Sequence, residues 1–251
     1  MVGNMLSSYS GLTLALLAAA GLIAGLSRGF SGFGAALIFV PLAGALVGPK
    51  LAGPILVIVD GVMALPLIPA ALKLGHRRDV GLMVMGALIG IPTGTLILKS
   101  FAPLTLRWLI VGLAAAMLAF LLTGWRYRGQ PHPAATVATG AVSGLMSGIA
   151  QIGGPPVVSY WLGMEAPPTV LRANIILFFA AGNLISLASY LWGGLLNPMV
   201  VWLAAIAGPM YGIGIYFGSR MFGLASPAVF RNASLALIAA AVLLSLPVWG
   251  R

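Results

Sequence analysis

Arg28-Gly29-Phe30-Ser31-Gly32-Phe33-Gly34 interrupts one long apolar stretch, Gly11 to Val47, and Ser147-Gly148-Ile149-Ala150-Gln151-Ile152-Gly153-Gly154-Pro155-Pro156 interrupts another, Pro133 to Met164. Either stretch is too long for one membrane helix, which takes about 20 apolar residues. Glycine and proline break helices at such points, so each stretch is read as a broken or re-entrant helix pair. The two breaks resemble each other: a shift of 119 residues superimposes Gly25 on Gly144, Gly29 on Gly148 and Gly34 on Gly153.

The rest of the chain fits a lipid solvent. Of 251 residues 61% are apolar and 6% charged, far below the quarter or so of a water-soluble domain. Lys and Arg number 13 against 3 acids, a formal charge of +10, which in so apolar a chain belongs in short loops at the membrane surface. No basic stretch is interleaved with aromatics, so nucleic acid is not an expected partner. The absence of cysteine excludes disulfides, thiolate metal sites and thiol catalysis. The opening segment has no Lys or Arg before Leu12 and reads as a retained first helix rather than a signal peptide.

Six further spans follow by length: Leu51 to Leu74, Val80 to Leu98, Leu104 to Trp125, Pro168 to Trp192, Met199 to Phe217 and Pro227 to Val248. Gly90-Ile-Pro-Thr-Gly94 finds a counterpart in Gly208-Pro-Met-Tyr-Gly212, and Arg107 and Arg231 open the last helix of each half. The expected architecture is an all-α polytopic membrane protein of two repeats, residues 1–130 and 131–251, together forming one transport domain. Chance accounts for part of the matching in a chain with 34 glycines and 17 prolines.

Loop charges choose between orientations. If each broken region returns to the side it started from, every half reverses direction. Lys73, Arg77, Arg78, Arg126, Arg128, Arg172, Arg220 and Arg231 then share one side, and Lys50, Lys99, Arg107 and Arg251 the other. That excess satisfies the positive-inside rule. The expectation is therefore inverted repeats in the inner membrane, with basic loops in the cytoplasm and both termini on the periplasmic or extracellular side.

Non-helical backbone at membrane depth must be buried or bathed in water, so the breaks point inward. Free N–H groups and the dipole at the start of a following helix attract anions; those helices are expected to start near Ala35 and Pro155. The candidate substrate site comprises Arg28, Gly29, Ser31, Gly32 and Gly34 from the first break, and Gln151, Gly153 and Gly154 from the second. The bland alternative for the glycines is close helix packing. Asp60, the one acid well inside a span, is read as a proton or sodium coupling site, or as a partner for Arg28. Asn174 and Asn183 lie nine residues apart, on opposite helix faces. Of the two, Asn174 is favoured for the site. His76 and His132 read as solvated loop residues, and no metal or other cofactor is expected.

The run Gly29-Phe-Ser-Gly-Phe-Gly-Ala-Ala-Leu-Ile-Phe-Val-Pro41 and its echo Gly148-Ile-Ala-Gln-Ile-Gly-Gly-Pro-Pro156 resemble the paired signatures of the TauE/SafE family of sulfite exporters. Length, duplication and the short basic middle loop agree over essentially the whole chain. Ala35 and Ala36 depart from the richer glycine run usual there. The resemblance implies a secondary transporter exporting small sulfur-containing anions such as sulfite, sulfoacetate or related organosulfonates; another small anion, or a passive anion channel, is the alternative. Three carboxylates and no cysteine leave little equipment for an enzyme. Without a phosphate-binding loop, energy must come from ion gradients, the membrane potential or a separate partner. Lipid is the one certain neighbour, and the sequence fixes no oligomeric state.

Overall fold

A computed structural model describes residues 9–31, 34–127, 132–221 and 227–249. Among them all regular structure is helical: α1 Gly11–Ser31, α2 Ala35–Leu46, α3 Pro49–Ala64, α4 Ile68–Leu74, α5 Arg77–Ser100, α6 Pro103–Thr123, α7 Pro133–Ala150, α8 Gly154–Trp161, α9 Pro168–Trp192, α10 Pro198–Met221 and α11 Pro227–Leu244, with short 3₁₀ turns at Leu65–Leu67 and Pro247–Trp249. Among the described residues seven spans are long and apolar enough to cross a membrane, α3 and α4 counting as one.

Six of the helices begin with proline, at Pro49, Pro103, Pro133, Pro168, Pro198 and Pro227. A first-turn N–H has no intrahelical partner, so losing it costs nothing, and the ring pre-sets φ. Prolines also account for the one broken span that the sequence reading missed. Leu51 to Leu74, expected as a single helix, tightens into the 3₁₀ turn around Pro66, where proline removes a helical hydrogen bond.

Both broken regions fold back. The Tyr9 hydroxyl, just before α1, donates to the Val47 carbonyl just after α2 at 3.1 Å. At the other end of the bundle Thr136 near the start of α7 bonds Tyr160 near the end of α8 at 2.5 Å. With 12 and 8 residues, α2 and α8 reach only about 18 and 12 Å at 1.5 Å per residue, well short of a hydrocarbon core of about 30 Å. Other contacts mark the ends. Lys50 donates to the Lys99 carbonyl at 2.7 Å at one end; His76 N–H bonds Asn174 Oδ1 at 2.7 Å and Arg231 bonds the Leu121 carbonyl at 3.2 Å at the other.

The halves are held together by exchange. α1 packs along α10, and α7 along α5, the two most extensive helix contacts among the described residues. These seams are glycine against backbone. A Cβ at Gly21, Gly25 or Gly29 would run into the main chain of Ala207, Tyr211 or Ile215; at Gly140, Gly144 or Gly148 it would run into that of Met83, Ala87 or Ile91. The two seams are equivalent: Met83 and Ala207, Ala87 and Tyr211, Ile91 and Ile215 each differ by 124. On the facing side Gly90 and Gly94 meet α7, while Gly214 and Gly218 meet α1. This corrects the sequence alignment of Gly90 and Gly94 with Gly208 and Gly212, which instead face Val59 and Met63 of α3. Without large side chains to drive association in lipid, such close approach supplies the van der Waals contact.

Among the described residues three apolar clusters result. The largest joins α1, α2, α3, α6, α10 and α11 with the end of α7, a second joins α4, α5, α8 and α9, and a small third gathers Val57, Leu98, Leu106, Tyr190 and Leu195. Large apolar side chains remain exposed around them, Leu184 at 70% and Trp192 at 78%, as lipid contact requires.

Candidate functional site

The two breaks solve the same backbone problem with different residues. Gly34, preceding α2, sits at φ 92°, a left-handed conformation. An added Cβ there would meet nothing closer than 3.5 Å, so glycine is demanded by the dihedral rather than by space. In the second break the left-handed position is Gln151, at φ 57°, the one non-glycine residue with positive φ among those described. Its backbone N–H closes α7 on Ser147 O at 2.9 Å, and its Nε2 reaches Ser147 O at 2.8 Å, Ser186 Oγ at 3.1 Å and Tyr190 Oη at 3.2 Å. The side chain replaces the freedom of glycine with a set of hydrogen bonds. Tyr190, fully buried, donates back to the Gly148 carbonyl at 3.0 Å, so α9 braces the turn.

Gly153 and Gly154 have different jobs. Ser143 donates to the Gly153 carbonyl at 2.7 Å, and a Cβ at Gly153 would overlap Ser143 and Ser147. Gly154 opens α8 with free space before it, the nearest atom to an added Cβ being Phe179 Cζ at 3.8 Å. That space is part of a cavity of about 70 Å³.

The cavity is where the breaks meet. The first turn of α2 (Ala35, Ala36, Leu37) enters from one side; Ser147, Gln151, Ile152, Gly154 and Pro155 enter from the other. Leu56 and Asp60 of α3 and Phe179 and Asn183 of α9 complete the wall with Arg28 and Gly34. Arg28 Nε lies 2.9 Å from Asp60 Oδ1, which also accepts the Tyr211 hydroxyl at 2.6 Å. Both charged side chains keep about a fifth of their surface, 22% and 23%. Helix N-termini carry a partial positive charge of roughly half a unit, and two of them here flank an arginine whose counter-charge is Asp60. Such an arrangement suits a small anion. It holds no nucleophile poised beside a base, and among the described residues no three His, Asp or Glu side chains gather as metal ligands.

Of the residues singled out from sequence, Arg28, Gly34, Asp60, Gln151 and Gly154 line this one cavity. Asp60 and Arg28 are partners, the second of the two roles considered for the acid. Gly29 instead faces α10 in the helix seam. Ser31 ends α1, while its side chain, and Gly32 altogether, lie outside the described residues. Gly153 stands one step behind the cavity wall. Asn174 does not line this cavity: buried on α9, its Oδ1 accepts the His76 N–H and so tethers the start of α5. Asn183, on the opposite face, lines the cavity and donates to Val57 O at 3.2 Å. Opposite faces were legible in the nine-residue spacing; which face looks inward depends on α3 and was not. Ser147, which opens the second break but was not assigned to the site, lines the cavity too; Phe179 and Leu56 were missed, and nothing in their local sequence marks them.

The family model described as "Sulfite exporter TauE/SafE" matches residues 17–245. A protein of Cupriavidus necator described as a probable sulfite/organosulfonate exporter TauE is 29% identical over 180 residues, which cover 68% of each chain. No solved structure matches.

Proposed function

This chain belongs to the TauE/SafE sulfite exporter family, and from that premise we propose that it is a secondary transporter exporting small sulfur-containing anions, sulfite or organosulfonates, across the inner membrane. The observation that carries this reading is the cavity joining Arg28 to the first turns of α2 and α8. A sulfite or sulfonate group offers three oxygens to Arg28 and to the N–H groups at the start of α2 and at Gly154, Pro155 and Pro156 having none, and charge-assisted bonds are roughly twice as strong as neutral ones. Leu37, Leu56, Ile152 and Phe179 give the same cavity an apolar wall for a short organic tail. Asp60 is the ion-coupling residue of this reading.

Efflux of radiolabelled sulfite or sulfoacetate from proteoliposomes tests it. Gly153 is a poor probe, because its variants collide with Ser143 whether or not an anion binds there. Gly154→Leu fills the cavity instead, and is expected to slow efflux on the order of tenfold or more, the counterpart of about 1 to 3 kcal/mol of overpacking, with folded protein retained. Efflux of all these anions unchanged by Gly154→Leu would place the site elsewhere. Flux through the parent that shows neither saturation nor counterflow would identify a passive channel.

The same proposal takes residues 1–130 and 131–251 as inverted repeats, with the basic end in the cytoplasm. Support comes from the fold-back of both broken regions and from the equivalent seams. Single cysteines at Ser10 and Asn197 are expected to react with a membrane-impermeant maleimide on intact cells, and those at His76 and His132 only after permeabilisation. Labelling of His76 from outside would reverse the orientation. Labelling of Ser10 and His76 from the same side would dismantle the fold-back.

A further inference from the structure

Asp60 occupies, on Arg28, the place that a bound anion would claim. Its Oδ1 takes the Arg28 Nε at 2.9 Å and the Tyr211 hydroxyl at 2.6 Å, inside a cavity of about 70 Å³ that both charged side chains line. The Nε contact uses one of the guanidinium's five donor positions. We infer that Asp60 is a resident counter-ion which the transported anion displaces from Arg28, and that its displacement is accompanied by uptake of one proton. This rests on the anion site proposed above.

The argument is one of charge. In so small a cavity a bound anion lies within a few ångströms of both Arg28 and Asp60. Two negative charges then share one cation, a repulsion that weakens binding on the order of a thousandfold for charges about 4 Å apart at an effective dielectric near 20. A proton from bulk water, bonding to a carboxylate oxygen of Asp60, removes it. No other bond forms, and the Tyr211 hydroxyl goes on donating to the neutral acid. The empty site holds Arg28⁺ and Asp60⁻; the loaded site holds Arg28⁺, the anion and a neutral Asp60. For a singly charged anion both sum to zero, so neither form carries an uncompensated charge at membrane depth. Among the described residues, the other charged or titratable groups on helices packed against α3 are Arg107 of α6, Arg172 and Tyr190 of α9, and Tyr216 and Arg220 of α10: Tyr190 stands at Gly53 two turns from Asp60, Arg107 beside Pro49 at the far end of the helix, and Arg220 over the exposed Tyr216 ring. Asp60 is therefore the group placed to take the proton.

Linkage fixes the sign. Where Asp60 is ionised in the empty site and neutral in the loaded one, anion affinity falls about tenfold for each unit rise in pH. The test uses the full chain purified in detergent and methanesulfonate, whose own charge does not change near neutrality. Calorimetric titration in two buffers of different ionisation enthalpy counts the protons taken up. About one proton per anion is expected for the parent. Asp60→Asn is expected to bind methanesulfonate at least about tenfold tighter than the parent at mildly alkaline pH, with no proton uptake and a flat pH profile. Binding to the parent without proton uptake overturns the proposal, and needs no variant to fold. So does a folded Asp60→Asn protein that has lost binding. Binding that Gly154→Leu blocks but that is not proton-linked sinks this inference alone; methanesulfonate that fails to bind, or binds Gly154→Leu as well as the parent, sinks the anion site with it.

Discussion

Leucine at Gly25 or at Gly90 is expected to leave no correctly folded protein. At Gly25 a side chain would enter the Tyr211 main chain, and at Gly90 that of Ala141 and Leu145. Neither obstacle is the end of a flexible side chain, so the helices must separate along their length. Overpacking that side chains can absorb costs about 1 to 3 kcal/mol; prying apart a backbone seam exceeds that and approaches the total stability of roughly 5 to 15 kcal/mol of an ordinary domain. Because the seams are equivalent, one in each exchanged pair, both variants should fail alike. Gly112→Leu is the matching control: it lies in the middle of α6, where an added Cβ meets nothing within 4 Å. A monodisperse peak in fluorescence-detected size exclusion is expected for Gly112→Leu and aggregate for the other two. A folded Gly90→Leu protein would mean that α5 and α7 do not approach as closely as described.

Arg28→Gln is expected to abolish transport and to destabilise the protein. It strands Asp60 inside a span with Tyr211 as its only remaining partner in this group. Breaking a buried ion pair from one side costs about 3 to 5 kcal/mol; with roughly a fifth of each side chain still exposed to the cavity, the lower end applies, about 3 kcal/mol. The double variant Arg28→Gln/Asp60→Asn carries no charge to strand. It should recover most of that stability in detergent melts while regaining no transport, since the cation that faces the anion is still missing. The separation of the two readouts matters. If the double variant melts as low as Arg28→Gln, the ion pair is incidental to the fold; if Arg28→Gln transports at the parental rate, Arg28 does not contact the anion.

Much of this was legible in the chain because its signals are local. Breaks at Gly34 and Gly153, helix starts at Ala35 and next to Pro155, and a lone acid at Asp60 follow from dihedral preference, missing N–H groups and the cost of charge in lipid. The rest depended on which surfaces meet. The spacing of Gly21, Gly25 and Gly29, and of Gly86, Gly90 and Gly94, at four-residue intervals is the mark of a close helix seam, yet it names no partner. The partner proved to be in the other half. The same missing information favoured Asn174, whose amide tethers a helix start, over Asn183, which lines the cavity, and paired Gly90 with Gly208 through sequence offset where packing pairs it with Gly214. Gln151 was read as a donor to substrate. Its position at positive φ, which a chain of letters does not disclose, directs its amide mainly to the turn itself.

The exchange of first helices between halves also sets an order of assembly during synthesis. Gly86 meets Val137, so α5 and α7 can join once some fifty further residues exist, but Gly21 waits for Ala207. At about 5 to 20 residues per second, α1 stands in the bilayer for about 10 to 40 s with its glycine face against lipid tails. Its mate does not yet exist. The seam made last thus closes on the helix inserted first, and nascent chains are most open to wrong neighbours in that interval.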